Sequence, residues 1–240
     1  MTVLLEACVD SVASARAAEA GGADRLELAT RMDLDGLTPP AALVAQVLAC
    51  VRIPVVVLVR PRGGDFAYDP GEREAIVDAV TSARTLGAHG VAVGALRDDG
   101  RLDTGFLAGL VATARPLRVT CHRAFDRTPD RLAALEDLVT LGFDRVLTSG
   151  GAASAAAGLE ALRMLVGAAA GRIAVVAGGG VTADVARRLV QAGVREVHAY
   201  RALLGPAGIV EAECLRRLRE AIGRAPQSSG SGPATPGTAV

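Results

Sequence analysis

The chain has 240 residues, a formal net charge of zero and 50% hydrophobic residues, enough for one large α/β domain or two small ones. The charge balance, and the lack of basic residues interleaved with aromatic ones, argue against nucleic acid as a partner, and no apolar run approaches the roughly 20 residues of a membrane span. All 26 basic residues are arginine, which excludes Schiff-base aldolases and pyridoxal-phosphate enzymes, because both need a lysine amine.

The N-terminal run Met1-Thr2-Val3-Leu4-Leu5-Glu6 has no basic stretch and no long apolar stretch, so it reads as a strand and not as a signal peptide. Apolar, β-branched runs then recur, and they predict strands over residues 3–8, 25–28, 54–60, 90–94, 118–121, 145–148, 173–177 and 196–199. Stretches of helix length separate them. Asp10 or Ser11, Thr38 and Thr182 have the character of helix N-caps, with Pro39 at a first helical position. A weak repeat precedes the second, fourth, sixth and eighth strands: Gly21-Gly22-Ala23-Asp24, Leu86-Gly87-Ala88-His89, Leu141-Gly142-Phe143-Asp144 and Ala192-Gly193-Val194-Arg195. Each reads as a helix end, a C-cap glycine and a short turn into a strand. Eight strands alternating with eight helices, at a length close to the roughly 250 residues typical of the fold, predict a single-domain (β/α)8 TIM barrel over residues 1–224. An open doubly wound sheet is the alternative, but its Gly-x-Gly-x-x-Gly fingerprint is missing. The Pro/Gly/Ser-rich stretch 225–240 is expected to be a disordered tail.

In a parallel barrel, ligands bind at the carboxyl ends of the strands. Reading those ends gives Glu6 and Cys8, Glu27, Arg60 and Arg62, His122 with Arg123 and Asp126, Ser149-Gly150, Gly178-Gly179-Gly180, and His198. Arg60, Arg62 and Arg123 suit a bound carboxylate or phosphate; the competing reading pairs Arg60 or Arg123 with a buried Glu6 or Glu27. Backbone amides at Gly178, Gly179 and Gly180, and at the similar Ser149-Gly150 turn, suit an anion, against a plain tight turn. His122 and His198 are the proton-transfer candidates, with Asp126 placed to orient the His122 ring and Glu6 or Glu27 to share the proton; His198 also counts among the anion-binding set. Cys8, Cys121, His122 and His198 are the sulfur and imidazole donors available to copper(I) or zinc, and the competing reading makes each cysteine a small buried apolar group. His89 falls in a turn on the opposite face. The four cysteines show no Cys-x-x-Cys spacing, and a cytoplasmic protein with reduced thiols is expected.

These motifs resemble the CutC family, named for copper homeostasis, over residues 3–200. The resemblance rests on Glu6-Ala7-Cys8-Val9-Asp10-Ser11, the stretch 21–28, Gly36-Leu37-Thr38-Pro39, Arg60-Pro61-Arg62-Gly63-Gly64-Asp65-Phe66, His122-Arg123-Ala124-Phe125-Asp126, Leu147-Thr148-Ser149-Gly150-Gly151 and Gly178-Gly179-Gly180-Val181. It implies a (β/α)8 barrel, a role in copper homeostasis, and copper bound by cysteines at the ends of the first two strands. The first matches Cys8; the second falls at Ala29, with Met32 offering a thioether nearby. The alternative function is an enzyme acting on a small anionic, perhaps phosphorylated, metabolite at the barrel mouth. Barrels of this kind pair through their outer helices, so a homodimer is a further expectation.

Overall fold

The computed structural model describes residues 3–223; the predicted tail at 225–240 lies outside them. Eight parallel strands close in sequence order: β1 (Leu4–Val9), β2 (Arg25–Leu28), β3 (Val55–Leu58), β4 (Gly90–Val93), β5 (Arg118–Cys121), β6 (Arg145–Thr148), β7 (Ala174–Ala177) and β8 (Glu196–Ala199), with β8 pairing back to β1. Outside them run α1 (Val12–Ala20), α2 (Ala41–Cys50), α3 (Pro70–Thr85), α4 (Thr104–Ala114), α5 (Arg131–Leu141), α6 (Leu159–Ala169), α7 (Ala183–Gln191) and α8 (Ala212–Ile222). This is the predicted (β/α)8 barrel. The main apolar core lies between strands and helices, built from Val, Leu and Ala with Phe125 fully enclosed. No described helix is long and apolar enough to cross a membrane.

The repeat seen in the sequence is a repeated piece of geometry. Gly22, Gly87, Gly142 and Gly193 all have φ between +78° and +96°, a region that only glycine enters without strain. In each unit the next residue (Ala23, Ala88, Phe143, Val194) donates its N–H back to a carbonyl five residues earlier and is buried, as in a Schellman ending. The side chain after that stitches neighbouring strands together in three of the four units. Asp24, His89 and Asp144 accept the backbone N–H of Leu5, Val55 and Val119. His89 is therefore a structural histidine at the amino end of the barrel, on the face opposite the mouth.

Ser11 caps α1 and Thr182 caps α7. Thr38 does not cap α2, whose N-cap is Pro40. Its hydroxyl instead accepts the Arg60 backbone N–H at 2.8 Å, because the chain crosses the end of β3 there before the helix starts.

TIM-barrel interiors are usually layers of branched apolar side chains. Here the lower interior is ionic. Register sets Glu6 on β1 opposite Arg25 on β2 and His198 on β8. Arg25 Nε binds Glu6 Oε2, and its Nη2 reaches Glu196 at 2.7 Å, which also receives Arg145 Nε at 3.2 Å. Removing one member strands buried charge. Arg25→Met is expected to lower the free energy of urea unfolding by about 3–5 kcal/mol; a loss under about 1 kcal/mol, the range of a surface pair, would show that this ionic floor is not what holds the strands together.

Candidate functional site

The mouth at the carboxyl ends of the strands opens into a cavity of about 950 Å³, lined among others by Cys8, Glu27, Met32, Arg60, Phe66, His122, Arg123, Asp126, Gly179, Gly180, His198 and Tyr200. Inside the barrel Cys8, Ala29, Val56, Leu58 and Ala92 form a small apolar cluster of their own, with Met32 and Tyr200 packed against it.

At the bottom of the cavity, Glu6 orients His198. His198 Nδ1 lies 2.8 Å from Glu6 Oε1. Burial pushes the Glu6 carboxyl up, but Arg25 and His198 outweigh it and hold it at about 2. Glu6 is therefore an acceptor, His198 donates its Nδ1–H to it, and Nε2 is left facing the cavity. Burial lowers the His198 pKa, yet the charges of Glu27 and Glu6 prevail and raise it. Glu27 lies beyond the ring, with Oε1 4.0 Å from His198 Nε2. It is only 4% exposed, and its Oε2 has no hydrogen-bond partner in the protein. Burial, aided by Glu6, pushes Glu27 up to about 7 against the pull of His198 and Arg25. Burial, with Glu27 and Glu6 nearby, also pushes the Cys8 thiol well above its ordinary value. The donor atoms of Cys8, Glu27 and His198 all lie within 4.8 Å of one another.

The wall above is built on Arg60, just past β3. Its Nη1 donates to the carbonyls of Leu34, Asp35 and Gly36 and its Nη2 to Gly64. Its Nε has no partner. It pairs with neither Glu6 nor Glu27, which corrects that competing reading. Its guanidinium carbon stands 4.9 Å from the Phe66 ring centre, and Phe66 lies 5.0 Å from the His122 ring centre. His122 is 3% exposed; its Nδ1 accepts the Ala124 N–H and its Nε2 is unpartnered. Burial first, and then Arg60, press its pKa down to about 3.

Asp126 does not orient His122, as the sequence suggested. It ties down the β6 loop, accepting from Thr148 Oγ1, from the Ser149 and Gly151 N–H groups and from Arg123 Nε. Arg123 also donates Nη2 to Ser149 Oγ. Arg62 is turned out of the mouth by its pairs with Glu72 at 2.5 Å and Asp65 at 2.9 Å. Ser149 is taken up by Asp126 and Arg123, and the Gly150 N–H binds Thr148 Oγ1 within the loop. Gly178 serves close packing, since a Cβ there would stand 2.7 Å from Leu147 Cδ1. Only Gly179 and Gly180 of the predicted glycine loop line the cavity. Cys121 is outside the site, fully buried in the main core, where burial pushes its thiol up to about 12.

The sequence reading missed Arg25. Its signal was the alternation Arg25-Leu26-Glu27-Leu28, in which every second side chain is charged and so shares one face of the strand.

The family model described as "CutC family" matches residues 3–202. The human copper homeostasis protein cutC homolog is 47% identical over 196 residues, 81% of this chain and 72% of that one. A CutC family protein of Caulobacter vibrioides is 44% identical over 234 residues, 93% of this chain and 95% of that one. Among solved structures, CutC from Streptococcus agalactiae superposes with a TM-score of 0.78 at 29% identity, covering 82% of this chain and 98% of its own. Thiamine phosphate pyrophosphorylase from Pyrococcus furiosus, at 19% identity and a TM-score of 0.64 over 92% of this chain and 95% of its own, shares the fold.

The low His122 pKa fixes a sign. Between pH 6.5 and about 3 the unfolded chain binds the His122 proton and the folded chain does not, so stability from this group is fully present above pH 6.5 and drains away as pH falls. The slope from one such group is at most about 1.4 kcal/mol per pH unit. Denaturant unfolding of His122→Gln from pH 7 to pH 4 should therefore show a shallower loss of stability than the parent; equal slopes would place the imidazole in a wetter, more polar setting than described.

Proposed function

The chain belongs to the CutC family, and from that premise we propose that the bottom of its barrel mouth binds a metal ion between Cys8, Glu27 and His198. Relatives carry the name copper homeostasis protein, which points to copper as the ion handled. The donors themselves decide which form of copper fits. Where the resemblance expects a second cysteine, Ala29 is fully buried in the same small cluster as Cys8. A two-thiolate copper(I) site does not fit. One sulfur, one imidazole nitrogen and one carboxylate oxygen suit a borderline divalent ion, copper(II) or zinc.

The observation that carries the reading is the unpartnered Glu27 Oε2, buried beside Cys8 and His198. A carboxylate oxygen in that position lacks a proton donor, and a cation supplies what it lacks. Glu6 adds support, because a carboxylate that fixes the far nitrogen of a histidine is the usual outer partner of a metal-bound imidazole. Three protein donors beneath an open cavity match exchangeable or catalytic sites more closely than closed structural ones. Four free cysteines suit a cytoplasmic setting, where thiols stay reduced.

A second reading, an enzyme acting on a small anionic metabolite, is favoured by the cavity itself. Its volume of about 950 Å³ is that of a metabolite pocket and far exceeds what an ion fills.

The metal reading predicts one divalent ion per chain in a titration against a competing chelator. Cys8→Ser and Glu27→Gln should each weaken binding at least about tenfold, and Glu6→Gln about 10–100-fold through the lost orientation of His198. Cobalt(II) should give a thiolate-to-metal charge-transfer band that Cys8→Ser abolishes. Parent-like affinity in both Cys8→Ser and Glu27→Gln would sink this site.

A further inference from the structure

We propose that Arg60 and His122 together form a site for the oxyanion group, a carboxylate or a phosphate, of a small organic molecule held in the barrel mouth. This gives the second reading above its ligand class and rests on it for the molecule's turnover, but the binding site stands on its own observations. Arg60 is 7% exposed, yet among the described residues no carboxylate lies within 4 Å of its guanidinium. Its two terminal nitrogens are held by backbone carbonyls, which orient the group and leave its charge unbalanced. A buried cation without a counter-ion is costly unless something else supplies the negative charge.

The same group has one N–H to spare, since Arg60 Nε has no acceptor. The state of His122 follows from its neighbours. Nδ1 accepts the Ala124 N–H, so Nδ1 carries no proton, and the neutral ring must carry its proton on Nε2. Nε2–H is then a second buried donor without an acceptor. Both residues flank the Phe66 ring and line the cavity. Two unfilled donors and one unbalanced positive charge on a single wall call for a ligand that brings acceptors and negative charge. Water satisfies the donors and leaves the charge unmet. An oxyanion satisfies both, and its delocalised oxygens suit a guanidinium. The cavity leaves room for the organic remainder of the molecule.

The test is calorimetric titration of the full chain, in the presence of a metal chelator, with inorganic phosphate, simple phosphate monoesters and small mono- and dicarboxylates. One class is expected to bind, and which class it is separates the phosphate from the carboxylate source. Arg60→Met should weaken that binding about 10–100-fold, the loss of a charge-assisted contact. His122→Phe should weaken it by a smaller factor while keeping a ring against Phe66. Arg60→Lys keeps the charge, and partial recovery with it guards against a variant that merely misfolds. Parent-like binding in both Arg60→Met and His122→Phe overturns the proposal, and so does the absence of binding by every compound at millimolar concentration. Binding that vanishes on adding chelator also overturns it, by assigning the anion to the metal and not to this pair.

Discussion

The hydrogen bond between Glu6 and His198 is the contact on which the rest of the interior depends. Glu6 sits in register between Arg25 on β2 and His198 on β8 and answers both. Held ionised by those two neighbours, it settles which His198 nitrogen carries the proton and aims the other one at Cys8 and Glu27. A charged layer inside a barrel costs desolvation that mutual pairing has to offset, and the chain Glu6–Arg25–Glu196–Arg145 supplies that pairing around four strands. The layer ends at Glu27, whose second oxygen has no partner. Glu27 thus brings one unmet acceptor to the point where the cavity begins.

The upper part of the mouth follows a different logic. Asp126 gathers the β6 loop by accepting from its backbone and hydroxyl groups, and it engages Arg123 in the same cluster. Arg62 is engaged by Glu72. Two of the three arginines with an anion-binding look are therefore already committed to carboxylates. Arg60 differs because its partners are carbonyl dipoles and an aromatic face, which hold it rigid without neutralising it. The distinction between a spent and an unspent arginine lies in these partners, and the three sequence contexts look alike.

Much of the barrel could be read from the chain because its cues are local. Each β-branched run gives a strand, and each helix-ending glycine requires positive φ, so β2, β5, β6 and β8 fall on the residues expected. The resemblance to the CutC family was legible for the same reason, and so was the place of Cys8, Glu27, Arg60, His122 and His198 at the mouth. What was not legible depended on partners distant in sequence. Thr38 looks like a cap until the Arg60 N–H claims its hydroxyl. Asp126 looks like a partner for His122 until the β6 loop, more than twenty residues on, outbids it. Arg25 passed as an ordinary strand residue because a charged barrel interior is unusual, although the period-two alternation of Arg25 and Glu27, and of Glu196 and His198, placed those charges on one inner face.

The central claim is that the Glu6-oriented His198 combines with Cys8 and Glu27 into a metal site at the bottom of the mouth. Its most direct test is a crystal of the full chain grown with zinc or copper(II), with diffraction recorded at the absorption edge of the metal. One strong anomalous peak is expected within bonding distance of Cys8 Sγ, His198 Nε2 and a Glu27 carboxylate oxygen. A strong peak elsewhere, for instance at the exposed His89, with none between these three residues, would contradict it.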